Sequence, residues 1–180
     1  MNKQEAISII KDAINNMGNF LENERMALIG FYGGFEGTFR DVLATELQIL
    51  LKDNYLILTE YFYEEKEKRK WADIAIVKND LSLQRDKNIP ILRMEIKHNY
   101  VNDVSLICNN FESIPTSETI LIQIITEIEC CDKLRKYSKR PKSETSLDDY
   151  QCSNVLNIFF DSEHQINDQP IKCRIKIFVL

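Results

Sequence analysis

Trp71-Ala72-Asp73-Ile74-Ala75-Ile76-Val77 and Ile91-Leu92-Arg93-Met94-Glu95-Ile96-Lys97 set the architecture of this chain. Each is a short apolar run of strand-forming residues with a carboxylate set inside it. Alternation along a strand puts Glu95 and Lys97 on one side, Met94 and Ile96 on the other. A carboxylate in an apolar strand is costly unless it is paired, neutralised or bound to a cation. Two such groups on successive segments, with a lysine beside one, point to a metal site.

Outward from these stretches, Tyr55-Leu56-Ile57-Leu58-Thr59-Glu60-Tyr61-Phe62-Tyr63 is rich in β-formers and is joined to 71–78 through a charged tip at 64–70, which predicts a hairpin. Polar residues 79–88 form the next connection. Pro90 opens the strand-like 91–98, and the three segments make an antiparallel meander. Upstream, Ala6, Ile9, Ile10, Ala13, Ile14 and Met17 recur at helical spacing and predict a packing helix over 3–22. Four of the five glycines fall between Gly30 and Gly37. They precede a second helix over about 36–52, with a stripe of Phe39, Leu43, Leu47 and Leu50 widened by Val42 and Ile49. Downstream, 103–112 fits a short helix, and 119–128 is apolar enough for a central strand covered on both faces. Residues 131–153 are polar and basic without periodicity, and strand-like segments return at 154–160 and 171–180. The sum is a single α/β domain over 1–180, a mixed β-sheet flanked by α-helices.

Composition sets the bounds. The chain has 180 residues, 44% of them hydrophobic, enough for one core and too few for two full domains. Its longest apolar runs are too short to cross a bilayer, and Met1-Asn2-Lys3-Gln4-Glu5 lacks the pattern of a secretory signal, so a cytoplasmic protein without a membrane partner is expected. Five cysteines form no C-x-x-C pair, and with only two histidines they read as reduced thiols rather than disulfides or a zinc site. The net charge of −5 disfavours a polyanionic partner for the molecule as a whole. Locally, however, 133–142 holds six basic residues and no acid, so Lys133, Arg135, Lys136, Lys139 and Arg140 are candidate phosphate contacts.

If Asp73 lies on the strand beside Glu95, the two carboxylates can share a divalent ion, with the backbone carbonyl of Ile96 as a third oxygen ligand. Hard oxygen donors of this kind suit Mg²⁺, or Mn²⁺ as its substitute, and these ions also bind phosphate oxygens. Phosphodiester hydrolysis needs a metal-bound water, charge neutralisation and a group that orients the nucleophile, and Lys97 suits the last role.

The order of a helix glutamate, a strand aspartate and then Glu-x-Lys resembles the PD-(D/E)XK nuclease superfamily of restriction endonucleases, junction resolvases and repair or defence nucleases. The resemblance covers about 35–128. Asp73 stands where the family's metal aspartate lies, Glu95 and Lys97 stand at its E-x-K, and Ala72 replaces the proline of the named motif. Glu36 with Arg40 one turn later looks like the family's E-x-x-x-R helix motif, with Glu46 the competitor for the helix carboxylate. The resemblance implies a restriction-endonuclease-like fold and a Mg²⁺-dependent endonuclease acting on DNA, RNA not being excluded. In it Asp73, Glu95 and Ile96 hold metal, Glu36 assists and Lys97 activates water. A homodimer would supply the second active site that a double-strand cut needs. The alternative is a catalytically inactive member of the same fold serving as a nucleic-acid- or protein-binding subunit of a larger complex.

Plainer readings stand beside these. Glu95 and Lys97 can be a surface ion pair on a solvated sheet face, and E-x-K by itself also occurs at Glu64-Glu65-Lys66. Gly33-Gly34-Phe35-Glu36-Gly37 lacks the lysine of a phosphate loop and reads as a helix entry. His98 should face away from Lys97 and pack, and Gln123 reads as a hydrogen-bonded core glutamine. Trp71 and Tyr61-Phe62-Tyr63 could stack on bases, although hairpin packing is the ordinary role of such residues.

Overall fold

A computed structural model describes residues 1–65, 68–79, 90–112, 119–138, 145–151 and 156–180. The predicted meander is present. β1 (Tyr55–Glu65), β2 (Lys68–Lys78) and β3 (Leu92–Tyr100) pair antiparallel, and β3 pairs parallel with β4 (Thr119–Cys130) after a crossover through a helix, Val104–Glu112. The C-terminal β5 (Leu156–Ile166) and β6 (Gln169–Val179) form a hairpin with β6 against β4, so the order across the sheet is β1-β2-β3-β4-β6-β5. This is a mixed sheet with helices packed on it, the architecture expected at the level of α/β class.

Four N-terminal helices cover one face: α1 (Lys3–Asn16), α2 (Gly18–Leu21), α3 (Glu24–Tyr32) and α4 (Phe35–Leu51). Asn2 and Glu5 cap the start of α1 reciprocally. The single helix expected over 3–22 is interrupted at Met17, whose N–H bonds back to Ala13 and Ile14 before α2 begins. α3 was not legible as a helix, because its apolar residues Met26, Ala27, Leu28, Ile29 and Phe31 are nearly continuous and give no clear stripe. Gly33 and Gly34 take φ of 99° and 90° and turn the chain from α3 into α4, a backbone state that disfavours any residue with a Cβ. Helix entry is thus their role. Gly30 matters for a different reason: a Cβ there would lie 2.8 Å from Cys173 Sγ, so its absence lets α3 settle on β6.

The main core joins this helical layer to Ile74, Ile76, Met94, Ile96, Ile120, Ile122, Ile124, Ile175 and Ile177. A smaller core lies on the other face, where Ile107 of α5 (Val104–Glu112) meets Leu121, Ile125, Leu147, Tyr150 and Phe178. β4 contributes to both, and its residues from Ile120 to Thr126 are all buried, as the apolar run predicts. Each isoleucine buried here contributes about 1.5–3 kcal/mol of transfer free energy. The stretch 131–153 contains more structure than its composition indicates: α6 (Asp132–Ser138) and a single 3₁₀ turn at Leu147–Asp149. Leu134 and Leu147 anchor them.

Cys108, Cys130, Cys131 and Cys173 are free thiols, and burial pushes the Cys173 thiol up to about 12, which makes it inert. Cys152 and the expected connection at 79–88, apart from Asn79, lie outside the described residues. No helix among the described residues is long and apolar enough to cross a membrane.

Candidate metal and phosphodiester site

The site is built on a fork in the sheet. β2 and β3 are paired from Ile76–Leu92 through Ala75–Arg93 to Ile74–Met94, and the pairing stops there, while β3 continues beside β4 from Arg93–Thr119 to Tyr100–Thr126. Opening the β2–β3 seam releases the β3 backbone groups that point toward β2. Buried backbone N–H groups must find partners. The carboxylate of Asp73 accepts from the N–H of Ile96 at 2.6 Å, and the carboxylate of Glu36 accepts from the N–H of His98 at 3.3 Å. These donors are two residues apart on one edge of β3, a spacing of roughly 6.6 Å. Two acids distant in sequence therefore flank the same opening.

Glu95 lies on β3 one residue before Ile96, on the face shared with Lys97. Its carboxyl titrates above the usual glutamate range, chiefly because burial penalises the charge and next because the Asp73 carboxylate repels it; Lys97 and Arg93 pull the other way. Alternation from the Ala75–Arg93 pair puts Asp73 and Glu95 on one face of the sheet. The Lys97 ammonium lies 3.7 Å from Glu95 Oε2, with the lysine side chain 47% and the glutamate 33% exposed. In this exposed setting the ion pair itself contributes little, so the surface-pair reading accounts for the contact without accounting for the repelling Asp73.

Glu36 reaches the fork because of its neighbour. Phe35 stacks on the His98 ring with centroids 5.0 Å apart, and the His98 ring in turn meets Tyr100 at 4.9 Å and Thr126 Oγ1 at 3.0 Å. That packing holds the first turn of α4 against β3 and delivers Glu36. His98 therefore faces away from Lys97, as alternation predicts. Glu46 sits ten residues further along α4 than Glu36, roughly 15 Å. Arg40, the partner in the expected E-x-x-x-R pattern, is turned elsewhere, bonding Asp41 at 2.9 Å and Glu60 at 2.7 Å.

A buried amide cluster braces the other side of β3. Gln123, fully buried, donates to the Lys97 carbonyl at 3.3 Å, to Asn99 Oδ1 at 3.1 Å and to the Ile124 carbonyl at 3.0 Å, and accepts from Asn110 of α5 at 2.7 Å. Gln123 is a satisfied core glutamine, and it also ties the backbone of Lys97 to β4 and α5. Asn99 and Asn110 were missed in the sequence. Their partners lie 11 to 24 positions away, and no local pattern marks them.

The basic residues fall elsewhere. Lys133, Arg135 and Lys136 lie on α6, beyond the end of β4. Cys130 is seven residues past Gln123, the register partner of Lys97, which is roughly 20 Å along the strand. Arg135 is occupied at 3.0 Å with the Cys130 carbonyl and at 4.0 Å with Asp132. Lys139 and Arg140 lie outside the described residues. The structure does not bring α6 to the fork.

No group of three or more His, Cys, Asp or Glu side chains able to cage an ion occurs among the described residues. An ion such as Mg²⁺ needs only one or two carboxylates and keeps several waters. Asp73 and Glu95 are the candidate carboxylates, and the Ile96 carbonyl is directed to the fork together with its N–H.

Compared with protein-family models, with curated proteins and with solved structures, the chain matches none. The functional reading therefore rests on the residues of the fork.

Proposed function

We propose that this protein is a Mg²⁺-dependent nuclease of the PD-(D/E)XK type that hydrolyses phosphodiester bonds in DNA, in a restriction, defence or repair role. The observation that carries the proposal is the pair of carboxylates at one sheet fork, Asp73 bonded to the Ile96 N–H and Glu95 the residue before it, with the Lys97 ammonium 3.7 Å from Glu95. Two like charges brought together and left partly desolvated are costly in isolation and are offset by a cation. Asp73, Glu95 and the Ile96 carbonyl would hold that ion. When bound, Mg²⁺ would supply a water of lowered pKa and neutralise charge at the phosphate.

The chain's own groups do the rest. Lys97 orients the attacking water and offsets charge developing on the phosphate oxygens. Glu36, tethered to the His98 N–H, places a further acceptor at the opening. The Gln123 cluster fixes the backbone of Lys97, so that its ammonium is aimed by a braced strand rather than a loop. A second copy of the chain would supply the second centre for a double-strand cut.

Incubating plasmid with the protein and Mg²⁺ or Mn²⁺ tests the proposal: the wild type nicks or linearises it, and Asp73→Ala and Lys97→Ala do not. Cleavage retained in both variants would overturn it. A second reading, a non-catalytic binding subunit of the same fold, is favoured by the net charge of −5 and by the commitment of Asp73 Oδ2 to the Ile96 N–H at 2.6 Å. Calorimetric titration with Mn²⁺ separates the two, since the nuclease binds the ion and the bare scaffold does not.

A further inference from the structure

The β1–β2 hairpin runs past the fork and carries Phe62 and Trp71 opposite each other in register. Their rings meet edge to face, with centroids 5.4 Å apart and planes at 63°. Neither is core: Phe62 is 42% and Trp71 64% exposed. A large indole left in water forfeits most of its burial free energy. Trp71 is two positions from Asp73 on the same strand, roughly 6.6 Å along it. Lys70, next to it in sequence, is also exposed.

The charges around this pair narrow what it can bind. By sequence, 64–70 holds three acids and four bases, a net charge of +1 that exerts little pull on a duplex backbone. What the hairpin offers is an exposed aromatic pair next to the candidate phosphate site. A protein partner would need a contiguous patch of about 800 Å² on each side, far more than two rings supply. A flat ring attached to a phosphate fits better. In a duplex the faces of bases are stacked on one another and closed to a protein ring, whereas in a single strand they are open.

We propose that Phe62 and Trp71 form a stacking platform for an unpaired nucleobase, so that the favoured ligand is single-stranded DNA whose phosphate lies at the fork. This deepens the nuclease reading and rests on it only for the fate of that phosphate. Trp71 is the chain's only tryptophan, so its emission reports the platform directly.

The test titrates the protein with a single-stranded oligothymidylate in EDTA, following tryptophan emission. In parallel, the anisotropy of the labelled strand and of a blunt duplex of equal length is measured with wild type, Trp71→Ala, Trp71→Phe and Phe62→Ala. The expected result is quenched emission at saturation. Trp71→Ala should bind the single strand roughly 5- to 100-fold more weakly, Trp71→Phe should lose less, and duplex affinity should stay unchanged. Unchanged emission, equal single-strand affinity in Trp71→Ala, or equal losses for strand and duplex would overturn the proposal. So would a concentration-dependent blue shift without DNA, the mark of a second copy covering the pair. Circular dichroism confirms that the exposed substitutions leave the fold intact. Failure of the nuclease reading is separate: Asp73→Ala and Lys97→Ala cutting as well as wild type would leave the stacking result standing, and normal strand binding by Trp71→Ala would leave metal-dependent cleavage standing.

Discussion

β3 has two seams, and they are unlike. On the β4 side it is paired without interruption from Arg93 to Tyr100, with isoleucines above and the Gln123 amide cluster below. On the β2 side pairing stops after Met94, and the freed N–H groups of Ile96 and His98 are taken by the carboxylates of Asp73 and Glu36. The closed seam stabilises the fold by burial and backbone bonding. The open one spends its hydrogen-bonding capacity on acids that the hydrophobic core could not otherwise tolerate. Acids collect where the ladder breaks, and the seam that does not break braces the strand beside them.

If the open seam is the working one, its substitutions should change rate before stability. Lys97→Ala should lower metal-dependent cleavage by about 10²- to 10⁴-fold, the usual range for a positioned acid–base or charge-stabilising group, with an unchanged circular dichroism spectrum. The closed seam should respond in the opposite way. Ile124→Ala should cost about 2–5 kcal/mol in urea unfolding, because the fully buried side chain leaves a cavity between sheet and helices. A loss below about 1 kcal/mol would mean that the seam is not the rigid half.

Gln123→Leu sharpens the comparison by removing polar bonds while keeping volume. It takes a partner from each of the half-buried Asn99 and Asn110 and should cost about 1–3 kcal/mol, together with a fall in cleavage if bracing of Lys97 matters. The smallest stability effect belongs to Glu95→Gln. Burial and Asp73 raise this carboxyl in the folded state. Its penalty is therefore absent below the ordinary glutamate range and develops as pH rises through the raised value. Glu95→Gln should melt slightly above wild type at pH 7, by under about 1 kcal/mol for so exposed a group, with the advantage gone at low pH. Mn²⁺ should reverse the order at pH 7, stabilising wild type and not the variant. Thermal melts at both pH values, with and without Mn²⁺, check each sign.

Local pattern carried much of this. Two apolar segments with internal acids marked β2 and β3. The run at 119–128 marked a strand covered on both faces, and the glycines at 33 and 34 marked the entry to α4. Patterns that are not local were invisible. α3 has no clean polar face because it is wedged between α4 and the β5–β6 hairpin, and nothing in the basic stretch at 133–142 shows that part of it, α6, starts beyond the end of β4. The Arg40–Glu60 pair was likewise not legible, because the two lie twenty positions apart and only the fold brings them near.

By itself the order of residues determined the class of fold and the short list of acids, since strand periodicity and the penalty for burying charge are properties of neighbouring positions. Which acids meet was a tertiary matter. Asp73, Glu95 and Glu36 share an opening because β2 leaves β3 at Met94 and because the Phe35–His98 stack pins α4 beside the gap. Strand divergence and ring packing depend on contacts between segments dozens of residues apart, and those exist only once the sheet has formed.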